Sequence, residues 1–251
     1  MLKQGVGGRG IFFTGLPDSE MAFAGHVLRS EDLFIDIGAN IGAYSVLSAA
    51  TSKAKCIACE PISETFGYLE KNVRMNNLGA LIKTKKVALG KEEGTILMTN
   101  KFGVGNYVVL NDQNEFLPTE TVLITTLDRM MVNQTRTHTL IKIDVEGYES
   151  EVFDGSEATL REDGVFGVIL ELIGQSEKYG SQAEMVHQRM LNFGFLPYQY
   201  VPYERRLILL DGKDFSKKNP FDANVLYIKN KEFVLDRLKS GQAFEIWNKQ
   251  I

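Results

Sequence analysis

Acidic residues set beside glycines mark the parts of this chain that could do chemistry. The first group is Asp36-Ile37-Gly38-Ala39-Asn40-Ile41-Gly42. Gly38 and Gly42 allow a tight turn and close approach of the backbone to a ligand. The free N–H groups of a helix starting after them would face a carboxylate or a phosphate. Glu60 closes the next apolar run, about where an acidic side chain accepts both hydroxyls of a ribose. An adenosine-type ligand follows, with two candidates: a nicotinamide dinucleotide and S-adenosylmethionine. The spacing Gly-x-Asn-x-Gly departs from the dinucleotide pattern Gly-x-Gly-x-x-Gly. A carboxylate at Asp36 would repel a diphosphate and attract an ammonium, which favours S-adenosylmethionine. The plainer alternative is a strand end at Asp36, a simple glycine turn, and a solvated loop acid at Glu60.

The second group is residues 141 to 149, IKIDVEGYE, with Asp144 at a strand end and Glu146 just beyond it. Alkylation of a hydroxyl needs the oxygen in line with the methyl and a group to take or share its proton. Asp144 or Glu146 could do that, orient the hydroxyl or the methionine ammonium, or serve as an oxygen ligand to a divalent cation. Glu171, at the end of VFGVILELI, would project onto the same edge or simply meet water. His187 could act as a base, but a single helical histidine is more often a packing residue, and His26 and His138 have less support. Cys56 and Cys59 have redox-motif spacing, yet three residues apart on a strand they face opposite sides and cannot readily pair. Lys83, Lys85, Lys86, Arg205, Arg206, Lys217 and Lys218 read as solvated faces, and Phe193, Phe195, Tyr198, Tyr200 and Tyr203 as core or hairpin packing rather than a sugar-stacking wall.

These residues need a scaffold. Leu33 to Ile37 predicts a strand, residues 43 to 50 a helix, Lys55 to Glu60 a strand, and Ser63 an N-cap to a helix with Phe66, Leu69 and Val73 on one face. Residues 81 to 89 predict a third strand, and TILMT, YVVL and TVLITT short strands. Leu140 to Asp144 is a fourth parallel-type strand, Tyr148 to Leu160 a helix, Val165 to Leu172 a strand buried on both faces, and Ala183 to Phe193 a helix ended by Gly194. Alternating β and α imply a parallel sheet. Pro197 to Val201, Arg206 to Leu210 and Asn224 to Ile228 suggest antiparallel strands at its end, and Lys231 onward a helix.

With 251 residues and 44% hydrophobic content, the chain can build a large core without disulfides or a structural metal. Residues 1 to 30 read as a Gly-rich lead-in with a helix over Glu20 to Leu28, a candidate lid, and 31 to 251 as one domain. Two cysteines cannot form a disulfide scaffold or a four-ligand zinc site, and suggest reduced thiols and a cytoplasmic setting. A net charge of -4 lacks the basic excess of a nucleic-acid binder. No apolar run reaches transmembrane length, and no secretory leader is expected.

Taken together, FIDIGANIGAYS, CEPISETFGYLEKNVRMN, KKVALG, TTLD and IKIDVEGYESEVFDG resemble the FkbM-type S-adenosylmethionine-dependent methyltransferases from about residue 30 to 173. The first motif fits many methyltransferases; its combination with KIDVEG is specific. The resemblance implies an α/β, Rossmann-like class I methyltransferase fold, a mostly parallel sheet with an antiparallel end strand and helices on both faces. It also implies O-methylation of a hydroxyl on a sugar, a polyketide or another small metabolite. Carried over by motif, Asp36, Gly38, Ala39, Asn40, Gly42, Tyr44 and Ser45, with Glu60 and Pro61, would line the cofactor pocket, and Val87 and Ala88 would lie near adenine. Lys142, Asp144 and Glu146 would border the reacting centre, with Asp144 also reaching the cofactor. Ala43 departs from the family by replacing an aromatic, and residues 95 to 120 and those after 174 match poorly.

Overall fold

The strands that position both acidic groups are those with the longest apolar runs. The computed structural model describes residues 18–101, 105–109, 117–132, 134, 138–171, 183–210 and 224–243, and the backbone of 245–246 and 249–250. β1 (Leu33–Ile37) is buried at all five positions, as is β7 (Thr139–Ile143) beside it. Such strands have no solvent face and must lie inside a sheet covered on both sides. β2 (Lys55–Cys59) flanks β1, β3 (Ile82–Lys85) flanks β2, and β8 (Val165–Glu171) flanks β7, all parallel.

Beyond β8 come β11 (Asn224–Ile228), β9 (Leu196–Val201) and β10 (Arg206–Leu209), each antiparallel to its neighbour. The eight-stranded order is β10-β9-β11-β8-β7-β1-β2-β3, so β11 and β10 run against the other six. The antiparallel end expected from the tail is present. Strand order reverses between β1 and β7, which opens a crevice above their carboxyl ends.

Alternate residues of each strand face opposite layers. Phe34, Cys56, Leu140 and Phe166 pack with α1 (Ser19–Val27), α2 (Ala43–Ser52), α3 (Ser63–Met75) and α8 (Lys231–Ser240). Ile35, Cys59, Ile141 and Val168 pack on the other side with α4 (Leu127–Met131), α5 (Glu149–Asp154), α6 (Glu157–Arg161) and α7 (Ala183–Asn192). The cysteines thus occupy opposite faces and are free thiols.

Four expectations change. Residues 81–89 split: β3 stays in the main sheet, while β4 (Ala88–Leu89) joins β6 (Thr119–Thr125) and β5 (Gly94–Thr99) in a separate three-stranded sheet. YVVL contributes one bridge, Val108 to Met98. Ser63 begins α3 rather than capping it; Glu120 from β6 accepts both its N–H and its hydroxyl. The helix expected over 148–160 breaks into α5 and α6 at Gly155, where a Cβ would stand 1.9 Å from the Gly90 carbonyl oxygen. That backbone contact excludes any side chain and forces the chain to bend. At the tail, β12 (Glu245–Ile246) and β13 (Lys249–Gln250) form a hairpin that the sequence pattern does not announce. The helix expected over Glu20 to Leu28 is α1; residues 1–17, Lys217 and Lys218 lie outside the described residues.

Candidate active site

The glycine turn is fastened at both ends by backbone hydrogen bonds. The N–H groups of Gly38 and Ala39 donate to Cys59 O at 3.0 and 2.9 Å, and Asp144 N–H donates to Ile37 O at 3.1 Å. Gly38 has φ +76°, and a Cβ there would fall 1.8 Å from the Asp144 carbonyl oxygen. Only glycine lets the turn lie against the end of β7. Asn40 also adopts positive φ, and its side-chain oxygen accepts from Ile41 N–H at 2.7 Å. Asn72 of α3 donates to Ile41 O at 2.8 Å. Gly42 starts α2 without any side-chain cap, so the positive end of that helix faces the crevice.

Glu60 ties the turn to the end of β2. Its two oxygens accept from the N–H groups of Asn40 and Ile62, both at 3.0 Å. Burial pushes its pKa up to about 7, the two N–H donors pull back, and the charges of Asp144 and Asp36 add to the rise. Each oxygen retains a lone pair for a ribose hydroxyl.

Asp36 occupies a different position from the one its motif suggests. It is 0% exposed, beneath the turn, where it accepts from the Ser45 hydroxyl at 2.5 Å and from the Ser45 backbone N–H. Burial raises its pKa against the pull of Lys142. A carboxylate so enclosed has no surface of its own on the crevice; its neighbours are the first turn of α2 and Lys142. Lys142, also buried on β7, donates to Asp144 at 2.7 Å, stands 4.0 Å from Asp36, and lies 4.9 Å from the centre of the Tyr44 ring. Burial alone would lower its pKa, but Asp144 and Asp36 reverse the direction and keep it charged. The Tyr44 hydroxyl donates to Asp18 at 2.9 Å, and Asp18 also caps α1 through Met21 N–H at 2.7 Å.

The second acidic group converges on the same edge. Carboxylate oxygens of Asp144, Glu146 and Glu171 lie within 4.8 Å of one another. Glu171 is pushed to about 9, by burial first and then by the adjacent Asp144 charge. Asp144 moves the opposite way: burial would raise it, but Lys142 and a hydrogen bond from Glu171 hold it low. Near neutral pH the pair is therefore a Glu171 carboxylic acid donating to an Asp144 carboxylate. Three clustered oxygens could hold a cation, but Lys142 and the Glu171 proton already offset charge there. Glu146 adopts positive φ, followed by Gly147. Glu149 accepts from Gly147 N–H at 3.0 Å, and burial pushes its pKa to about 7.

The remaining sequence candidates divide cleanly. Val87 and Ala88 follow β3 beside Glu60, whose N–H donates to Lys85 O at 3.1 Å, and Pro61 is buried next to them. His187 and His26 are buried and bonded to the hydroxyls of Tyr227 and Tyr200. His138 stacks on Phe233. Phe193, Phe195, Tyr198 and Tyr200 are core residues, while Tyr203 is 66% exposed. Lys86 meets Ser63 and Glu120, Arg206 pairs with Glu204, and Arg205 donates to the carbonyls of Leu238 and Gly241. Sequence reasoning missed Asp18, Glu149 and Glu120. The only signal for Asp18 is a capping pattern ahead of α1, and its contact with Tyr44 spans 26 positions.

A reversed-order parallel sheet, a glycine turn into an uncapped helix and an acid closing the second strand define a Rossmann-like fold that binds its ligand at the switch point. The Methyltransferase FkbM domain profile matches residues 36–197, more than half of the chain, and the chain belongs to that family. S-adenosylmethionine is accordingly its methyl donor. A search of curated protein sequences gave no match. Similar solved structures include an rRNA methylase from Streptococcus thermophilus, with 13% identity, 84% of this chain and 95% of that one covered, and TM-score 0.44. Another is a precorrin-6y C5,15-methyltransferase from Geobacter metallireducens, with 11% identity, coverage of 84% and 85%, and TM-score 0.43. A third is M. capricolum TrmK with S-adenosyl-homocysteine, with 12% identity, coverage of 84% and 68%, and TM-score 0.42. The donor set in the crevice suits the methyl donor: uncapped N–H groups for its carboxylate, Glu60 for its hydroxyls and carboxylates for its cationic groups. Among the described residues, no helix is long and apolar enough to cross a membrane.

Proposed function

We propose that this methyltransferase domain, taken as one unit over residues 31–251 with α1 packed upon it, methylates a hydroxyl of a sugar, polyketide or similar small metabolite in the cytoplasm. The observation that carries this reading is the Asp144 carboxylate, kept ionised by Lys142 and steadied by the Glu171 proton, on a residue just past β7 whose backbone carbonyl abuts Gly38. S-adenosylmethionine supplies a methyl carbon made electrophilic by its cationic sulfur. The turn at 36–42 would hold its amino-acid end, Glu60 its ribose, and Val87 and Ala88 its adenine.

Asp144 would accept a hydrogen bond from the acceptor hydroxyl and then its proton as the oxygen is alkylated. Glu146 and Glu171 would orient that hydroxyl, and Lys142 would keep Asp144 charged. The test is incubation with methyl-labelled donor and a panel of hydroxylated sugars and metabolites, with mass and NMR assignment of the labelled atom. Label on oxygen, with a fall of about 10²–10⁴ in kcat for Asp144→Asn, is expected. Label on nitrogen or carbon, or unchanged turnover in Asp144→Asn, would defeat this reading.

A further inference from the structure

The methyl donor carries its ammonium and its carboxylate on the same carbon, so a carboxylate held at the first turn of α2 brings a cation to that spot. That cation needs an anionic partner. Asp36 is fully enclosed and already engaged with Ser45. Asp144 is engaged by Lys142 and by Glu171. Asp18 differs from both. Its carboxylate meets two neutral donors, Met21 N–H at 2.7 Å and the Tyr44 hydroxyl at 2.9 Å. Among the described residues, no lysine or arginine stands within ion-pair distance of it. Tyr44 is the second residue of α2, so its hydroxyl links Asp18 to the first turn of the helix that would receive the carboxylate.

The surroundings sharpen the argument. Lys142 pairs with Asp144 at 2.7 Å and stands 4.0 Å from Asp36, while Asp18 makes no ion pair with it and feels its charge only at longer range. Asp18 is exposed at the head of α1, unlike the enclosed Asp36; loss of water around its carboxyl raises its pKa, while its N–H and hydroxyl donors and Lys142 act the other way. Asp18 is also held firmly, because Met21, Phe23, Ala24 and Val27 of α1 are all in the core. It lies outside the segment 36–197 that matches the family.

We propose that Asp18 is a cofactor-selecting residue of this methyltransferase, holding the α-ammonium of the methyl donor at the head of α1. This rests on the placement of that donor over the turn at 36–42. Asp18→Asn tests it cleanly, because Asn caps a helix as well as Asp and keeps an oxygen for Met21 and Tyr44 while removing the charge. Calorimetric affinities would be measured for S-adenosylhomocysteine, which keeps the ammonium, and for 5′-methylthioadenosine, which lacks the whole amino-acid end.

The expected result is about 10- to 100-fold weaker binding of S-adenosylhomocysteine, with methylthioadenosine affinity changed by less than about twofold and the same thermal midpoint. Unchanged S-adenosylhomocysteine affinity overturns the proposal and leaves the cofactor placement standing. Equal weakening of both ligands also overturns it, since that is the signature of a distorted turn. Wild-type protein that binds neither nucleoside brings down the cofactor placement and this assignment with it.

Discussion

Replacing Lys142 with methionine keeps most of the side-chain volume on β7 and removes the one buried cation between Asp36 and Asp144. Its ammonium lies 2.7 Å from Asp144 and 4.0 Å from Asp36. At an effective dielectric of about 20, those separations give gross attractions of roughly 6 and 4 kcal/mol. Desolvation of the three groups offsets much of that in the wild type. Breaking a buried pair by removing one partner nevertheless destabilises by about 3–5 kcal/mol, because the other partner is left charged and enclosed. For a chain of this size that lowers Tm by roughly 6–20 °C.

The two aspartates can escape by taking up protons, which fixes the sign of the pH dependence. Without the lysine their folded pKa values rise above the unfolded ones. The folded variant then binds more protons than its unfolded chain above the ordinary carboxylate range, and its stability falls as pH rises. The deficit relative to wild type should therefore be small near pH 5 and full by pH 8. Urea unfolding of both proteins at the two pH values measures it. A Tm within about 2 °C of wild type, or a deficit that does not grow with pH, would refute the account of Lys142.

Other outcomes follow from neighbouring contacts. Gly38→Ala should lose about 3 kcal/mol or more from positive φ and collision with the Asp144 carbonyl, and should lose S-adenosylhomocysteine binding by calorimetry; a normal Tm would contradict the 1.8 Å approach. Glu171 is held protonated up to about pH 9 in the fold, so its contribution to stability declines as pH rises from the ordinary carboxylate range through that value. Glu171→Gln removes the titration, and between pH 6 and 9 it should lose at least about 1 kcal/mol less unfolding free energy than wild type, read from urea titrations. Glu60→Ala leaves the N–H groups of Asn40 and Ile62 without their acceptor, at roughly 1–3 kcal/mol each. Calorimetry should show S-adenosylhomocysteine and methylthioadenosine weakened together, because both carry the ribose.

The main sheet was legible because its inner strands are apolar at all but one position: LFIDI and VFGVILE leave no alternating face, so only a sheet buried on both sides accommodates them. The turn and Asp144 were legible because glycine and acid recur where such sheets bind ligands. What escaped reading lies in contacts between distant segments. The break at Gly155 is made by Gly90, the start of α3 is capped by Glu120, and Tyr44 is steadied by Asp18. None of these pairs has a local pattern. Asp36 shows the converse: its motif points to a ligand, but its strand position turns it beneath the helix toward Ser45. The strand expected over 81–89 failed because pairing, not propensity, decides where a β segment leaves one sheet for another.

The two thiols have a practical consequence for anyone studying the crevice. Cys56 and Cys59 are the chain's only cysteines, both enclosed in the sheet, with burial pushing the Cys59 thiol to about 12 and the Cys56 thiol well upward. Maleimides and mild oxidants attack thiolates that solvent can reach, so the folded protein should be silent to them. A single cysteine introduced at a surface position would then be the sole reactive handle, ready to carry a fluorophore or spin probe without first stripping the native sulfurs from the scaffold.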